Sequence, residues 1–228
     1  ETFFSRSMYS QESADAGIST AELDLAGAAV PYQVMREEMI PFWAEIAAED
    51  RDYYKGLENA GFMLTFGEDL AGLEMMYMYR GSGYYIDVGA SELIIRGDIK
   101  LRSGVSIERI TEDGIVLSDG SEIEADLIVF STGYKPMNTW IADLISKEVA
   151  AKVGRCWGLG SGTKYDPGPW EGELRNMWKP TQQEGLWFHG GGLTQSRLYS
   201  RYLAMQLKAR KEKIPTPVYG LLAMNSID

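Results

Sequence analysis

The sequence predicts an α/β fold, because a helical periodicity gives way to a strand periodicity along its 228 residues. Between Trp43 and Leu57, apolar residues recur at steps of three or four or their multiples, which indicates the buried face of an amphipathic helix. From Gly83 onward, short runs alternate between apolar and polar residues, as half-buried strands do. A continuous apolar run at residues 125–130 is typical of a strand that is buried on both faces.

Helices are expected in the first part of the chain. Residues 11–16 and 20–29 are predicted to form two short helices. A longer helix is predicted to begin at Pro41, because proline suits the first helical turn. Gly61 is expected to end that helix, because glycine favours helix C-termini.

A β-meander is expected in the middle of the chain. Its strands are predicted at residues 84–88, 99–101, 106–110 and 114–117. The Asp-Gly pairs at residues 113–114 and 119–120 are strong hairpin signals. The apolar strand at residues 125–130 follows, and a helix is predicted at residues 138–149.

The C-terminal part combines a long irregular stretch with a second strand-to-helix unit. Residues 151–180 are rich in Gly, Pro and Trp and show no clear period, and a loop of that length is usually functional. A strand at residues 186–189 and a triple-glycine turn at residues 190–192 are predicted next. A helix at residues 194–211 follows, and the basic residues at its end complement the helix dipole.

Composition excludes several classes of protein. The net charge of −11 repels phosphate backbones and anionic lipid surfaces, so we expect neither a nucleic-acid nor a membrane partner. No apolar run approaches the roughly 18 residues that a transmembrane helix needs. Cys156 is the only cysteine and His189 the only histidine, so the chain lacks the ligands of a structural zinc site and a partner for a disulfide. We therefore expect no metal, and a cytoplasmic protein.

The triple-glycine turn is the first candidate ligand site. Three successive glycines remove every Cβ, so a ligand ring can approach the backbone closely. The amides of Leu193, Thr194 and Gln195 open the following helix and carry its positive dipole end. Such an end favours an anion, or a ring that becomes anionic when it is reduced. A tight turn that needs only positive φ explains the same residues equally well.

The second candidate site follows the predicted strand at residues 125–130. That strand would deliver Ser131, Thr132 and Gly133 to its C-terminal edge, which is where open α/β sheets bind ligands. A strand that simply ends in a turn is the alternative, and the residues alone favour it. The tryptophans of the irregular stretch are also open to two interpretations, a ligand cavity or a small core of their own, and we favour the core. They are Trp157, Trp170 and Trp178.

Residues 125–134 resemble the D-x-x-x-x-A-T-G-Y signature of flavin-containing monooxygenases and Baeyer–Villiger monooxygenases. Ser131 stands where these families more often have alanine. Further segments are similar to one bacterial and fungal subgroup, at residues 80–91, 166–170, 175–180 and 190–197. The resemblance covers most of the chain from about Tyr9 onward. It lacks both G-x-G-x-x-G fingerprints of the family, which would lie upstream of Glu1.

This resemblance implies a partial two-dinucleotide-domain flavoprotein fold. Residues 1–82 would be a helical remnant of the NADPH-binding or insert region, and residues 83–228 the C-terminal part of the FAD-binding domain with its β-meander. FAD and NADPH are the implied cofactors, and O₂ and a small organic molecule the implied reactants. No catalytic residue is assigned. The implied cofactor-binding residues are Thr132, Gly133 and Tyr134 at the domain crossing, with Gly191, Gly192 and Gln195 at the pyrimidine end of the flavin.

The missing fingerprints also lead to expectations about how the chain works. The first residue is Glu1 and not methionine, so we expect the C-terminal portion of a longer monooxygenase, inactive without an N-terminal partner half. One alternative is a non-catalytic truncated or split subunit. Another is an FAD- and NAD(P)H-dependent reductase that inserts no oxygen, of which the disulfide-reducing members are excluded by the single cysteine.

Overall fold

A computed structural model describes residues 8–81, 86–135, 137–159 and 174–217 of the chain. These residues form nine helices and a three-stranded antiparallel sheet, a mixture that fits the predicted α/β class. The chain divides into two compact units that alternate along the sequence. The first unit comprises Glu1–Ile46, Phe66–Tyr84 and Lys135–Asp228, and the second comprises Ala47–Thr65 and Tyr85–Tyr134.

The N-terminal helices confirm the local predictions at residues 11–16 and 20–29. The first four helices are α1 (Gln11–Asp15), α2 (Thr20–Ala28), α3 (Tyr32–Glu49) and α4 (Arg51–Asn59). Ser19 caps α2 through a reciprocal pair of hydrogen bonds, because its Oγ accepts from the Glu22 amide and the Glu22 carboxylate accepts from the Ser19 amide. Such caps depend only on residues within one helical turn of each other, which is why these helices could be predicted.

The expected start of the long helix at Pro41 is wrong, because Pro41 lies inside α3. Pro31 takes the N-terminal position instead, and its carbonyl accepts the first helical hydrogen bond from the Met35 amide at 2.9 Å. The predicted end at Gly61 is confirmed. Gly61 has a φ of +91°, which glycine adopts without strain, and the chain leaves α4 through a hydrogen bond from the Phe62 amide to the Leu57 carbonyl.

The second unit contains α4, helix α6 (Ala90–Arg96) and the sheet. Its strands, in the order β1-β2-β3, are β1 (Ile107–Ile110), β2 (Gly114–Leu117) and β3 (Glu122–Glu124). Central β2 is largely buried, whereas both edge strands are mostly exposed. The turn at Gly120 confirms the second Asp-Gly signal, since Gly120 has a φ of +83° and Asp119 accepts hydrogen bonds from the amide and the hydroxyl of Ser121.

Three of the predicted strands are not strands in this structure. They are the strands predicted at residues 84–88, 99–101 and 125–130. For the first of them this holds for residues 86–88, because residues 84 and 85 lie outside the described ranges. In the apolar run, Leu127 is 79% exposed and Val129 75% exposed. A strand forms only where neighbouring strands accept its backbone hydrogen bonds. The Ala125 amide donates to the Asp113 carbonyl at 3.0 Å, but residues 125–130 join no strand of the described sheet, and most of the run is open to solvent.

The remaining helices belong to the first unit. They are α5 (Gly72–Arg80), α7 (Met137–Leu144), α8 (Lys147–Val153) and α9 (Leu193–Lys211). The single helix predicted at residues 138–149 is therefore wrong, because Ser146 caps a second helix by accepting from the Val149 amide at 3.2 Å. The strand predicted at residues 186–189 is reduced to one bridge between Met177 and Phe188. Helix α9 is confirmed and begins one residue earlier than predicted.

The first unit has a core built from Met78 on α5 and from residues between 141 and 188. Trp157 and Trp178 pack edge to face in it, with ring centroids 6.1 Å apart. This confirms the core interpretation for these two tryptophans, while Trp170 lies outside the described residues. The buried members of this core are Met78, Ile141, Val153, Cys156, Trp157, Leu174, Met177, Trp178 and Phe188.

Candidate functional site

The triple-glycine turn leads directly into the 19-residue helix α9. Gly191 has a φ of +83°, and Gly192 is the extended residue that precedes the first helical position. The Ser196 hydroxyl donates to the Gly190 carbonyl at 2.8 Å, and the Ser196 amide donates to the Gly192 carbonyl at 2.9 Å. These two bonds fix the turn against the first turn of the helix.

Helix α5 holds the turn from the other side. The Tyr77 hydroxyl accepts the Gly192 amide at 2.5 Å and donates to Gln195 Oε1 at 2.8 Å. The Gln195 amide nitrogen donates to Met78 Sδ, a weak acceptor, at 3.6 Å. Tyr77 is itself positioned by Trp157, whose Nε1 donates to the Tyr77 carbonyl at 2.8 Å. The backbone of the turn is thus fixed by hydrogen bonds within the protein.

The three glycines are required for different reasons. A Cβ on Gly191 would lie 2.6 Å from Gln195 Oε1 and 3.2 Å from the Trp157 ring, so packing and positive φ both demand glycine there. A Cβ on Gly190 would lie 3.7 Å from its nearest neighbours, and one on Gly192 would lie 3.5 Å from the Tyr77 hydroxyl. Both are ordinary contact distances. The protein's own packing therefore leaves room for a Cβ at positions 190 and 192.

A cavity of about 390 Å³ borders the turn within the first unit. Small-molecule sites commonly span about 300–1,000 Å³, so this volume suits a ring system better than a whole dinucleotide. Its wall is mostly apolar and aromatic, with a few polar groups among them. The polar side chains in the wall are Tyr9, Asp24, Tyr32, Glu74, Tyr77, Thr194, Gln195 and Tyr199.

Asp24 is a buried carboxylate that joins α2 to α9. Arg197 donates to it from Nε at 2.6 Å and from Nη2 at 2.5 Å, and the Tyr9 hydroxyl donates at 2.8 Å. The Arg197 hydrogen bonds lower the pKa of Asp24, so it stays ionised. Burial and the hydrogen bond to Asp24 raise the pKa of Tyr9 to about 12, so that phenol stays neutral and continues to donate.

Glu74 is the other carboxyl group of the wall and has a different environment. Trp43 Nε1 donates to its Oε2 at 2.8 Å. Burial raises the pKa of Glu74, against the opposing effect of the Trp43 hydrogen bond. Within the described ranges, no arginine or lysine forms an ion pair with this carboxyl group.

The structure brings together one of the two sets of predicted site residues. Gly192 and Gln195 share a hydrogen bond and line the cavity, and Gly191 packs close to Gln195 and Trp157. Thr132, Gly133 and Tyr134 belong to the second unit and are exposed there. Their proposed contact with a cofactor stays a prediction.

Sequence analysis missed the wall that faces the turn. Glu74 and Tyr77 lie three residues apart on α5, and Asp24 lies on α2. Their only sequence signal is a polar residue within an otherwise apolar helix face, which is common at ordinary core boundaries. The link between Tyr77 and Gln195 spans 118 residues, and one sequence does not reveal it.

Two other kinds of site are absent from the described part of the chain. These residues contain no cluster of three or more His, Cys, Asp and Glu side chains that could hold a metal ion. None of their helices combines the length and the apolarity needed to cross a membrane.

The chain is similar in part to a known protein. No protein-family model matches the chain. Over 62 residues, the chain is 42% identical to a protein of Arabidopsis thaliana named probable indole-3-pyruvate monooxygenase YUCCA1. The match covers 27% of this chain and 14% of the relative, so the aligned part spans a small fraction of the relative's length. At a coarse level, this similarity supports a monooxygenase.

Proposed function

We propose that this chain forms part of an FAD- and NADPH-dependent monooxygenase that uses O₂ to oxygenate a small organic substrate. The partial similarity to a plant monooxygenase supports the reaction class. The resemblance of residues 125–134 and 190–197 to flavin-dependent monooxygenases supports the cofactors. With a single cysteine, the chain suits the reducing cytoplasm, where we place it.

The observation that carries this proposal is the space left at the glycine turn. Gly191 is explained by its backbone and its neighbours, whereas Gly190 and Gly192 are not, because a Cβ fits at both positions. Glycines that the protein itself does not require are expected where a ligand approaches the backbone. The adjoining first turn of α9 offers amides without intrahelical acceptors and the positive end of a 19-residue helix.

These residues fit the pyrimidine end of a flavin. Gly192 would provide the close approach, and the Gln195 amide nitrogen, which meets a thioether at 3.6 Å, would donate to a ring carbonyl. The helix end would stabilise negative charge on the reduced ring. When bound, the flavin supplies the redox chemistry and the activation of O₂, and the chain's own residues orient the ring and exclude water.

The rest of the cofactor site is proposed to lie in a partner half that carries both dinucleotide fingerprints. The exposed apolar run that includes Leu127, Val129 and Phe130 is a surface that such a half would cover. Thr132, Gly133 and Tyr134 follow it and would come close to the cofactors in the complete protein. In this proposal, residues 1–82 derive from the NADPH-binding or insert region and residues 83–228 from the FAD-binding domain.

Riboflavin tests the proposal without the partner half, because it has the ring but no pyrophosphate. We expect saturable quenching of riboflavin fluorescence by the purified chain, from stacking against aromatic side chains near the turn. Gly192→Ser should weaken this binding at least tenfold, because a side chain blocks the approach while serine remains a good helix cap. Ala26→Ser is the control, because Ala26 is exposed on α2 and does not line the cavity.

Two results would contradict the proposal. One is the absence of saturable binding of either riboflavin or FAD by a folded chain, as judged by circular dichroism. The other is an equal effect of Gly192→Ser and Ala26→Ser. If both flavins bind with similar affinity, the pyrophosphate cradle is absent from this chain, as proposed. Oxidation of NADPH should then be measured after a fingerprint-bearing half has been added.

A further inference from the structure

Five aromatic rings of the first unit form a continuous series of contacts. Each ring contacts the next, with centroid distances of 5.0, 6.1, 4.5 and 6.0 Å along the series. Indole and phenol rings are among the side chains that lose a single electron most readily, and electron transfer between rings in contact is fast. In order, the rings belong to Tyr77, Trp157, Trp178, Tyr199 and Tyr202.

The series joins the cavity to the protein surface. Tyr77 and Tyr199 both line the cavity, whereas Trp157 and Trp178 are buried in the core. Tyr202 on α9 is exposed, and its ring contacts Tyr199. A missing electron (a hole) that is created at the cavity wall therefore has a path of touching rings to the solvent.

The two buried indoles have no base that could take their N–H protons. Trp157 Nε1 donates to the Tyr77 carbonyl at 2.8 Å, and a backbone carbonyl is too weak a base to accept a proton. Trp178 Nε1 is buried and has no acceptor among the described residues. An indole that loses an electron here would remain a buried cation, which is costly in an apolar core. The hole is therefore favoured on exposed Tyr202, whose phenol can release its proton to water and become a neutral radical.

We propose that the five rings form a hole-transfer path that carries one-electron oxidation from the cavity to Tyr202. A hydroxyl radical, or another oxygen-centred radical in the cavity, gains one electron from the path. Tyr202 supplies that electron in the end and releases its phenol proton, so a hydroxyl radical and a tyrosine become water and a tyrosyl radical. A thiol in solution then returns a hydrogen atom to the phenoxyl oxygen and itself becomes a thiyl radical.

Methionines around the cavity are the side chains that this path would protect. Met78 belongs both to the cavity wall and to the core, and Met8 and Met35 also line the cavity. Oxidation converts methionine to a polar sulfoxide, which disrupts a core. Transfer of the hole to Tyr202 competes with this damage. Only the source of the radical, oxygen chemistry in the cavity, rests on the proposed function.

A photo-oxidant attached at the cavity wall tests the path without a flavin. Ala28 is exposed on α2 and lines the cavity, so Ala28→Cys can be labelled with a thiol-reactive ruthenium complex, whereas Cys156 is buried. A light flash with an external quencher oxidises the ruthenium, which then takes one electron from the protein. A spin trap marks the resulting radical, and peptide mass spectrometry locates it. We expect the adduct on Tyr202 and not on Tyr53, although the two are 41% and 38% exposed.

Three further variants of the labelled chain separate the path from oxidation through the solvent. Tyr199→Phe keeps a ring against Trp178 but removes the phenol that links Tyr202 to the series, so the adduct on Tyr202 should be lost. Trp178→Phe should reduce this adduct without removing it, because Tyr199 still borders the cavity. Trp140→Phe is the control and should change nothing, since it removes an exposed indole of α7 that makes no ring contact with the described residues.

Three outcomes overturn the inference, once circular dichroism has shown that each variant is folded. They are a Tyr202 adduct no stronger than that on Tyr53, an unchanged Tyr202 adduct in Tyr199→Phe, and equal effects of Trp178→Phe and Trp140→Phe. Each is independent of the riboflavin experiment, because the oxidant is attached to the chain. Hole transfer without riboflavin binding would refute the proposed function alone, and riboflavin binding without hole transfer would refute the path alone.

Discussion

The ion pair between α2 and α9 should make a large contribution to stability. Arg197→Met removes both arginine hydrogen bonds to Asp24 while keeping much of the apolar stem of the side chain. The Asp24 side chain is 3% exposed, so water cannot replace the lost donors. The variant therefore retains a buried carboxylate with only the Tyr9 hydroxyl bonded to it, and the folded state is destabilised.

The decrease in the free energy of unfolding of Arg197→Met has a lower and an upper bound. Hydrogen bonds to charged groups contribute about 1.5–3 kcal/mol each. The Arg197 side chain is 43% exposed, so solvent screening reduces the sum of its two bonds to about 2 kcal/mol. The upper bound comes from protonation, because placing a proton on an ordinary aspartate at pH 7 costs about 4 kcal/mol. The expected loss is therefore about 2–4 kcal/mol at neutral pH.

The loss should depend on pH in a defined direction. Because Arg197 lowers the pKa of Asp24 in the folded protein, the stabilisation is fully present above the pKa of the unfolded chain, about 3.9. It is lost as the pH falls through the lower, folded-state pKa. In Arg197→Met, this lowering is largely removed. The difference in stability between wild type and variant should therefore shrink as the pH falls below about 4.

Urea unfolding followed by circular dichroism at several pH values measures these differences. Arg96→Met is the control, because Arg96 also makes two contacts with its partner Asp98, at 3.0 and 2.5 Å. Both of those side chains are 55% exposed, so the control should lose less than about 1 kcal/mol. Equal losses in the two variants would refute the argument from burial. A loss for Arg197→Met that stays constant down to low pH would refute the assignment to Asp24.

Two further predictions concern the sheet and the single cysteine. Gly114→Ala should destabilise the second unit by more than about 2 kcal/mol in thermal unfolding, because the new Cβ would lie 2.0 Å from the Ile123 carbonyl oxygen. The control Gly27→Ala, within α2, should be neutral or stabilising. Cys156 is 3% exposed, and burial raises the pKa of its thiol to about 12. A thiol-reactive reagent at pH 8 should therefore label Cys156 only after urea unfolds the chain. Rapid labelling of the native protein would contradict this burial.

Sequence reasoning succeeded where the cause of a structure lies within a few residues of it. The capping box at Ser19 and the Asp-Gly turn at Gly120 are each specified by neighbouring side chains and backbone angles. The start of α9 after three glycines is of the same kind. Pro41 shows the limit of such reasoning, because proline is permitted at several helix positions and Pro31 supplied an equally good start.

It failed where the outcome depends on distant partners. The apolar run at residues 125–130 has the composition of a buried strand, but burial requires neighbouring strands, and the described residues provide none. The cavity wall has the same origin, because Glu74 and Tyr77 face the turn only after α5 packs against it. The composition of a segment therefore indicates whether burial would be favourable, but distant packing partners determine whether the segment is buried.

The sequence alone could not explain the three glycines of the turn, because the explanation depends on which atoms lie near each of them. Three adjacent glycines are consistent with a tight turn that needs positive φ and with a ligand site, and the sequence favours neither interpretation. The structure explains Gly191 by its positive φ and its contacts with Gln195 and Trp157, whereas a Cβ has space at Gly190 and Gly192, as the proposed ligand site requires. Substitution at Gly191 should therefore act on folding, and substitution at Gly192 on ligand approach. In the proposed function, Gly191 fixes the backbone of the turn and Gly192 presents that backbone to the ligand.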